Sequence, residues 1–149
     1  MKLISNVKII IENVATKEVE IFETHNVGCS AGMYSLASRM AGAEKGSVTY
    51  FAVGTGANTG DDIPSASDTA LVTELTRKQI SVRSSSGDTA SFRIFFGTSE
   101  ANGILTEIGL FGDDATVVVD TGTLFARAVI DKTKTDAETL TIDWALSIE

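Results

Sequence analysis

Cysteine, histidine and proline occur once each in 149 residues, as Cys29, His25 and Pro64. A lone cysteine cannot close an internal disulfide, so the fold cannot depend on one. A lone histidine cannot build a multi-histidine metal site or a His-pair catalyst. Cations are also scarce: 12 Lys+Arg stand against 20 Asp+Glu, a formal charge of −8. Phosphate binding needs clustered cations, so this balance argues against a nucleic-acid partner. No apolar run approaches the roughly 20 residues that span a bilayer, so no membrane partner is expected. The opening MKLISNVKIII joins a lysine to an apolar stretch, but an asparagine interrupts it. No small-residue cleavage site follows, and no secretory signal is expected.

What is present points to one folded domain. Hydrophobic residues make up 43% and charged residues 21%, close to the globular average. A chain of this length buries roughly 68–70% of the surface that it exposes unfolded. Plentiful Gly, Ser and Thr suit many short strands and turns.

Residues 7–14 are rich in β-branched side chains and predict a first strand. Residues 18–24 alternate, with Val19 and Ile21 on one face and Glu18, Glu20 and Phe22 on the other. The short polar break between the two runs predicts a β-hairpin. Residues 30–40 predict the one helix. Ser30 is its expected N-cap, Met33, Leu36, Ala37 and Met40 form its apolar stripe, and Gly42 is its stop. Residues 48–53 predict an internal strand. Residues 54–67 form a long loop, of a length usually functional or mobile. Asp68 is expected to cap a short helix over 69–76. Strands are expected at 77–83 and 89–96 around the turn 84–88, with Ala90, Phe92, Ile94 and Phe96 on one face. Further strands are expected at 104–111, 117–119 and 123–130. The last of these sets Leu124, Ala126, Ala128 and Ile130 against Phe125, Arg127 and Val129. Residues 140–149 alternate most cleanly, with Leu140, Ile142, Trp144, Leu146 and Ile148 facing one way.

The expected fold is mainly β: a single-domain antiparallel β-sandwich or flattened barrel with one short amphipathic helix at about residues 31–41. The domain spans residues 1–149, without linker or repeat, and residues 1–6 are a candidate extended arm.

Candidate chemistry is sparse. Residues 54–60 carry three glycines, but Asp61 and Asp62 stand where a phosphate loop needs Lys and Ser/Thr. His25 and Cys29 leave two zinc ligands missing. Cys29 precedes the helix, which would lower its pKa, but a small buried thiol is the expected role. The pairs Asp61/Asp62 and Asp113/Asp114 lack calcium-loop spacing. Glu74 and Glu107 would serve as paired glycosidase carboxylates only if brought together. Glu107 sits inside an apolar strand, so it is expected to face solvent, join a subunit contact or pair with a cation such as Arg77 or Arg127. Glu74, Arg77, Glu107 and Arg127 are therefore structural ion-pair candidates. No Gly-x-Ser-x-Gly elbow occurs. With no catalytic constellation, no cofactor and no metal expected, the chain is read as a non-enzyme.

Three stretches in fixed order carry a family resemblance. The first is His25-Asn26-Val27, then Ala31-Gly32 and the helix to Met40-Ala41-Gly42. The second is Tyr50-Phe51-Ala52-Val53-Gly54-Thr55-Gly56, then Asp68-Thr69-Ala70-Leu71 and Glu74-Leu75-Thr76-Arg77. The third is Thr106-Glu107-Ile108-Gly109-Leu110-Phe111, then Gly122-Thr123-Leu124-Phe125-Ala126-Arg127. The set resembles small virion proteins of tailed bacteriophages and is similar to the N-terminal attachment domain of phage tail fibres. It covers the chain from about His25 onward. The resemblance implies a structural role in the virion and no catalytic residues. The chain departs from fibre proteins in its extra N-terminal strand pair and in having no shaft sequence.

The expected partners are other virion proteins, of tail, baseplate or major capsid. Such proteins are usually trimeric or otherwise symmetric, so a homo-oligomer, foremost a trimer, is expected in a virion made in the host cytoplasm. A tail, baseplate or fibre-attachment component comes first, and capsid decoration (cement) is the alternative. A receptor- or glycan-binding tail-tip module comes next, weakened because Trp144 lies on the core face and Tyr34 in the helix. Leu3 and Ile4, in the arm, are interface candidates by strand addition. Phe22, Phe95 and Phe125, with Val129, suit either a second core layer or a subunit interface.

Overall fold

The alternation at the C-terminus becomes strand β10 (Glu138–Ile148), whose Leu140, Ile142, Trp144 and Leu146 are buried while Thr141, Asp143, Ala145 and Ser147 stay half-exposed. The computed structural model describes residues 2–56 and 64–149. Before β10 come β1 (Leu3–Asn13), β2 (Val19–His25), β3 (Val27–Gly28), helix α1 (Ser30–Met40), β4 (Tyr50–Gly54), β5 (Glu74–Gln79), β6 (Val82–Ser86), β7 (Thr89–Phe96), β8 (Gly103–Gly112) and β9 (Thr123–Lys134).

Two five-stranded antiparallel sheets form an open sandwich rather than a closed barrel. Sheet A has the order β2-β1-β10-β7-β6 and sheet B the order β3-β9-β8-β4-β5. Val7, Ile9, Ile94, Ile142 and Trp144 of sheet A pack on Phe51, Val53, Leu105, Ile108 and Leu110 of sheet B. Trp144 meets Phe51 edge-on at 5.4 Å, and its Nε1–H donates to Ser5 Oγ at 2.7 Å, which satisfies the buried indole. Sheet B is buried on its outer side as well. There Ala52, Phe111 and Leu124 pack with Leu71 and Ala115 from the flanking loops.

Several expectations fail, each for a local reason. Residues 3–6 are not an arm: they begin β1 and pair with residues 145–148 of β10. Leu3 is buried against Gly28, where an added Cβ would stand 2.5 Å from the Leu3 Cβ. Residues 69–76 form no helix: 69–73 are irregular and Glu74 opens β5. The single strand expected over 77–83 is two strands in different sheets. The chain crosses at buried Ile80, whose N–H donates to the Thr49 carbonyl at 2.8 Å. The hairpin turn tightens to Gly87-Asp88, with Gly87 at a φ of 58° that only glycine adopts without cost. Residues 117–119 are irregular, and all three valines are exposed.

The helix begins where expected, but Cys29 holds the N-cap position without a side-chain cap, and Ser30 is the first helical residue. Its buried face is Gly32 and Ser35, with Leu36 and Met33 partly buried, whereas Met40 is 83% exposed. Gly32 explains the rotation. A Cβ there would lie 2.8 Å from the Phe125 Cα, so only glycine lets α1 approach β9 this closely.

Candidate functional site

Two surfaces hold the side chains of interest: the covered outer face of sheet B and the open outer face of sheet A. On sheet B one cross-strand row runs Arg127, Gly109, Ala52, Arg77, and the next runs Val129, Glu107, Gly54, Glu74. The small residues at their centres leave room for the long charged side chains to lie across the sheet.

Glu107 is fully buried, and its carboxylate accepts from four groups. The backbone N–H groups of Val72 and Thr73 donate at 2.9 and 2.8 Å, and Arg127 donates through Nη2 and Nε at 2.9 and 3.1 Å. Arg127 Nη1 donates to Asp68 at 3.0 Å. Glu107 and Arg127 thereby hold the stretch from Asp68 to Thr73 against the sheet. A buried pair persists only when its remaining donors and acceptors are also filled, as they are around this carboxylate.

Glu74 and Arg77 form a second pair, bidentate at 2.6 and 2.7 Å, with both side chains inaccessible. Residues three apart in a regular strand face opposite ways. Here the register slips at Gly54, which pairs with Glu74 while Val53 pairs with Thr76, and this bulge puts both charges on one face. Arg77 Nη1 also donates to the carbonyls of Thr116 and Thr121 at 3.1 and 2.8 Å, and the guanidinium lies 4.4 Å from the Phe111 ring centre. The second pair thus anchors the loop that joins β8 to β9. Glu74 and Glu107 are each matched to their own arginine rather than to each other.

A third knot lies beside α1. Asp113 accepts from Ser35 Oγ and Arg39 Nη2, both at 2.7 Å. Burial alone raises the Asp113 pKa, but hydrogen bonds from Ser35, Thr123 and Arg39 outweigh it and hold the carboxyl below its ordinary 3.8. The Cys29 thiol is pushed up to about 12 by burial, with the neighbouring Asp68 charge adding to the rise. Its position before a helix therefore does not activate it, and the neutral thiol packs in the small cluster on the outer side of sheet B. His25 Nδ1 lies 3.2 Å from the Ser5 carbonyl. Among the described residues no three His, Cys, Asp or Glu side chains gather as a metal site. Residues 57–63 of the long loop, with Gly60, Asp61 and Asp62, lie outside the described residues.

The interface candidates scatter. Leu3 is in the core. Phe125 is only 2% exposed, because a register slip between Leu110 and Phe111 of β8 skips it and turns its ring into the core beside Leu36. Phe22 faces the inter-sheet side, packs on the core and is capped by Lys132, whose Nζ lies 4.8 Å from the ring centre. Lys132 also pairs with Glu20. These three residues are therefore occupied within the chain. Ile4 is half-buried and Phe95 is 48% exposed, both on the outer face of sheet A.

That face has three adjacent rows. Ile21, Ile10, Thr141 and Phe95 form one; Glu23, Lys8, Asp143 and Arg93 form the next; His25, Asn6, Ala145 and Ser91 form the third. Arg93 and Asp143 are joined by two hydrogen bonds at 2.6 and 2.8 Å. The second and third rows line a shallow concavity of about 690 Å³. Sequence reasoning missed Asp143, Arg93, Lys8 and Glu23. Alternation marks each as outward-facing, but only the strand order places them side by side.

Comparison with known proteins returned no matching family, no matching curated protein and no matching solved structure. Among the described residues, no helix is long and apolar enough to cross a membrane.

Proposed function

We propose that the chain is a non-enzymatic structural protein of a tailed-phage virion, working by protein–protein assembly in the tail, baseplate or fibre-attachment region. The observation that carries this reading is the outer face of sheet A. Ile21 and Phe95 are 57% and 48% exposed on a rigid five-stranded sheet, and neither serves the fold of its own chain. Exposed apolar rows beside paired charges are the composition of an association surface. The buried carboxylates support the same reading: Glu107 and Glu74 are saturated by arginines and by the loops that they hold. The ordered motifs from His25 to Arg127 supply the phage context, and the charge of −8 keeps such particles mutually repulsive and soluble.

Capsid decoration is the alternative placement within the virion. A glycan-binding tip module is disfavoured because Trp144 is buried and offers no ring for a sugar to stack on. Antibody-labelled electron microscopy of purified particles tests the placement. Label at the tail tip or baseplate is expected, label over the head moves the protein to decoration, and unlabelled particles overturn the reading. A hydrolase turnover abolished by Glu107→Gln would overturn it from the other side.

A further inference from the structure

We propose that the outer face of sheet A binds a second copy of this chain through a twofold axis parallel to the strands. This deepens the assembly reading by naming the surface and the partner. The register of β2, β1, β10 and β7 sets Glu23, Lys8, Asp143 and Arg93 in one row, so the charges alternate minus, plus, minus, plus across roughly 14 Å at the usual strand spacing. An alternating row of four is antisymmetric about its centre, which lies between β1 and β10.

A twofold axis along the strands at that centre lays β2 over β7 and β1 over β10 of the other copy. Glu23 then faces Arg93 and Lys8 faces Asp143, each contact occurring twice, as an isologous interface requires. The same rotation leaves each row at its own height. In the neighbouring row Ile21 therefore meets Phe95 of the other copy, covering two exposed apolar side chains, and Ile10 meets Thr141. In the third row Asn6 meets Ala145 and His25 meets Ser91. The orientation is chosen by charge: an axis across the strands through this row would set Glu23 on Glu23 and Arg93 on Arg93, a repulsive arrangement. Two twisted sheets stacked face to face in this way repeat the packing inside the sandwich itself.

The matched patch is smaller than a standard interface of 20–30 residues a side, so the dimer should dissociate at about 1–100 µM. Light scattering coupled to size exclusion, run across that range, should give a mass rising from one chain to two. Lys8→Glu and Asp143→Lys should each hold the protein at one chain, because symmetry doubles every mismatch. The double variant should regain the dimer. Circular dichroism reports folding of each variant. Should a reversal unfold the chain, Ile21→Glu at its exposed position should abolish the dimer in its place. A monomer at every concentration overturns the proposal. So does a trimer, or any oligomer whose mass the reversals leave unchanged, and so does a folded double variant that stays monomeric. None of these outcomes bears on whether the chain is found in particles, so the virion reading stands or falls separately.

Discussion

Glu107 and Arg127 stand 2.9 Å apart on neighbouring strands, 0% and 2% exposed, and between them they hold a loop that has no regular structure of its own. The loop's grip on the sheet is electrostatic: Val72 and Thr73 present their N–H groups to the carboxylate, and Asp68 receives the guanidinium. Removing one charge strands the other in a dry site. Glu107→Gln should therefore destabilise the protein by about 3 kcal/mol in urea unfolding, at the lower end for a buried pair because Arg127 keeps Asp68. Glu107→Leu with Arg127→Leu should cost less than either single change. Equal additive losses would contradict the lock.

Gly54 completes that site. An added Cβ would stand 2.6 Å from both Glu107 Cγ and the Thr73 carbonyl oxygen. Gly54→Ala should cost about 1–3 kcal/mol by overpacking, although its backbone is ordinary β-strand. A neutral result in thermal unfolding would mean that the loop yields freely.

Cys29 is fully buried, with its thiol pushed up to about 12. Only the thiolate reacts quickly, so a thiol reagent at pH 8 should label the folded protein slowly and the urea-unfolded protein at once. Equal rates in both states would contradict the burial.

Asp113 links stability to pH. Its carboxyl is held below 3.8 in the folded protein, so the folded state binds fewer protons than the unfolded state in that range. Its contribution is complete above the unfolded value and is lost as pH falls through 3.8 toward the folded value. Asp113→Asn should lower stability at pH 7 and flatten the loss between about pH 5 and 3 in urea titrations. An unchanged slope would contradict the role of Ser35, Thr123 and Arg39.

The sequence displayed its strands where one face is wet and one is dry. Residues 140–148 show this most plainly, and residues 7–13 with 19–24 give the hairpin. It hid whatever depends on broken register. The bulge opposite Gly54 turns Glu74 and Arg77 to one side, and the slip at Phe125 reverses a ring that alternation alone would place outside. Helix periodicity likewise pointed to Met40, because the stripe count treats Gly32 as neutral, whereas the close contact with Phe125 makes it the pivot. The cation needs of Glu107 could be read from one apolar strand. The choice of Arg127 over Arg77 required knowing that β8 lies between β9 and β4.

The proposal that the chain works by assembly within a virus particle is tested most directly by quantitative mass spectrometry of purified phage particles whose genome carries its sequence. A fixed number of copies per particle is expected, a few to a dozen for a tail or baseplate component. Particles of full infectivity that contain none of the chain would contradict it.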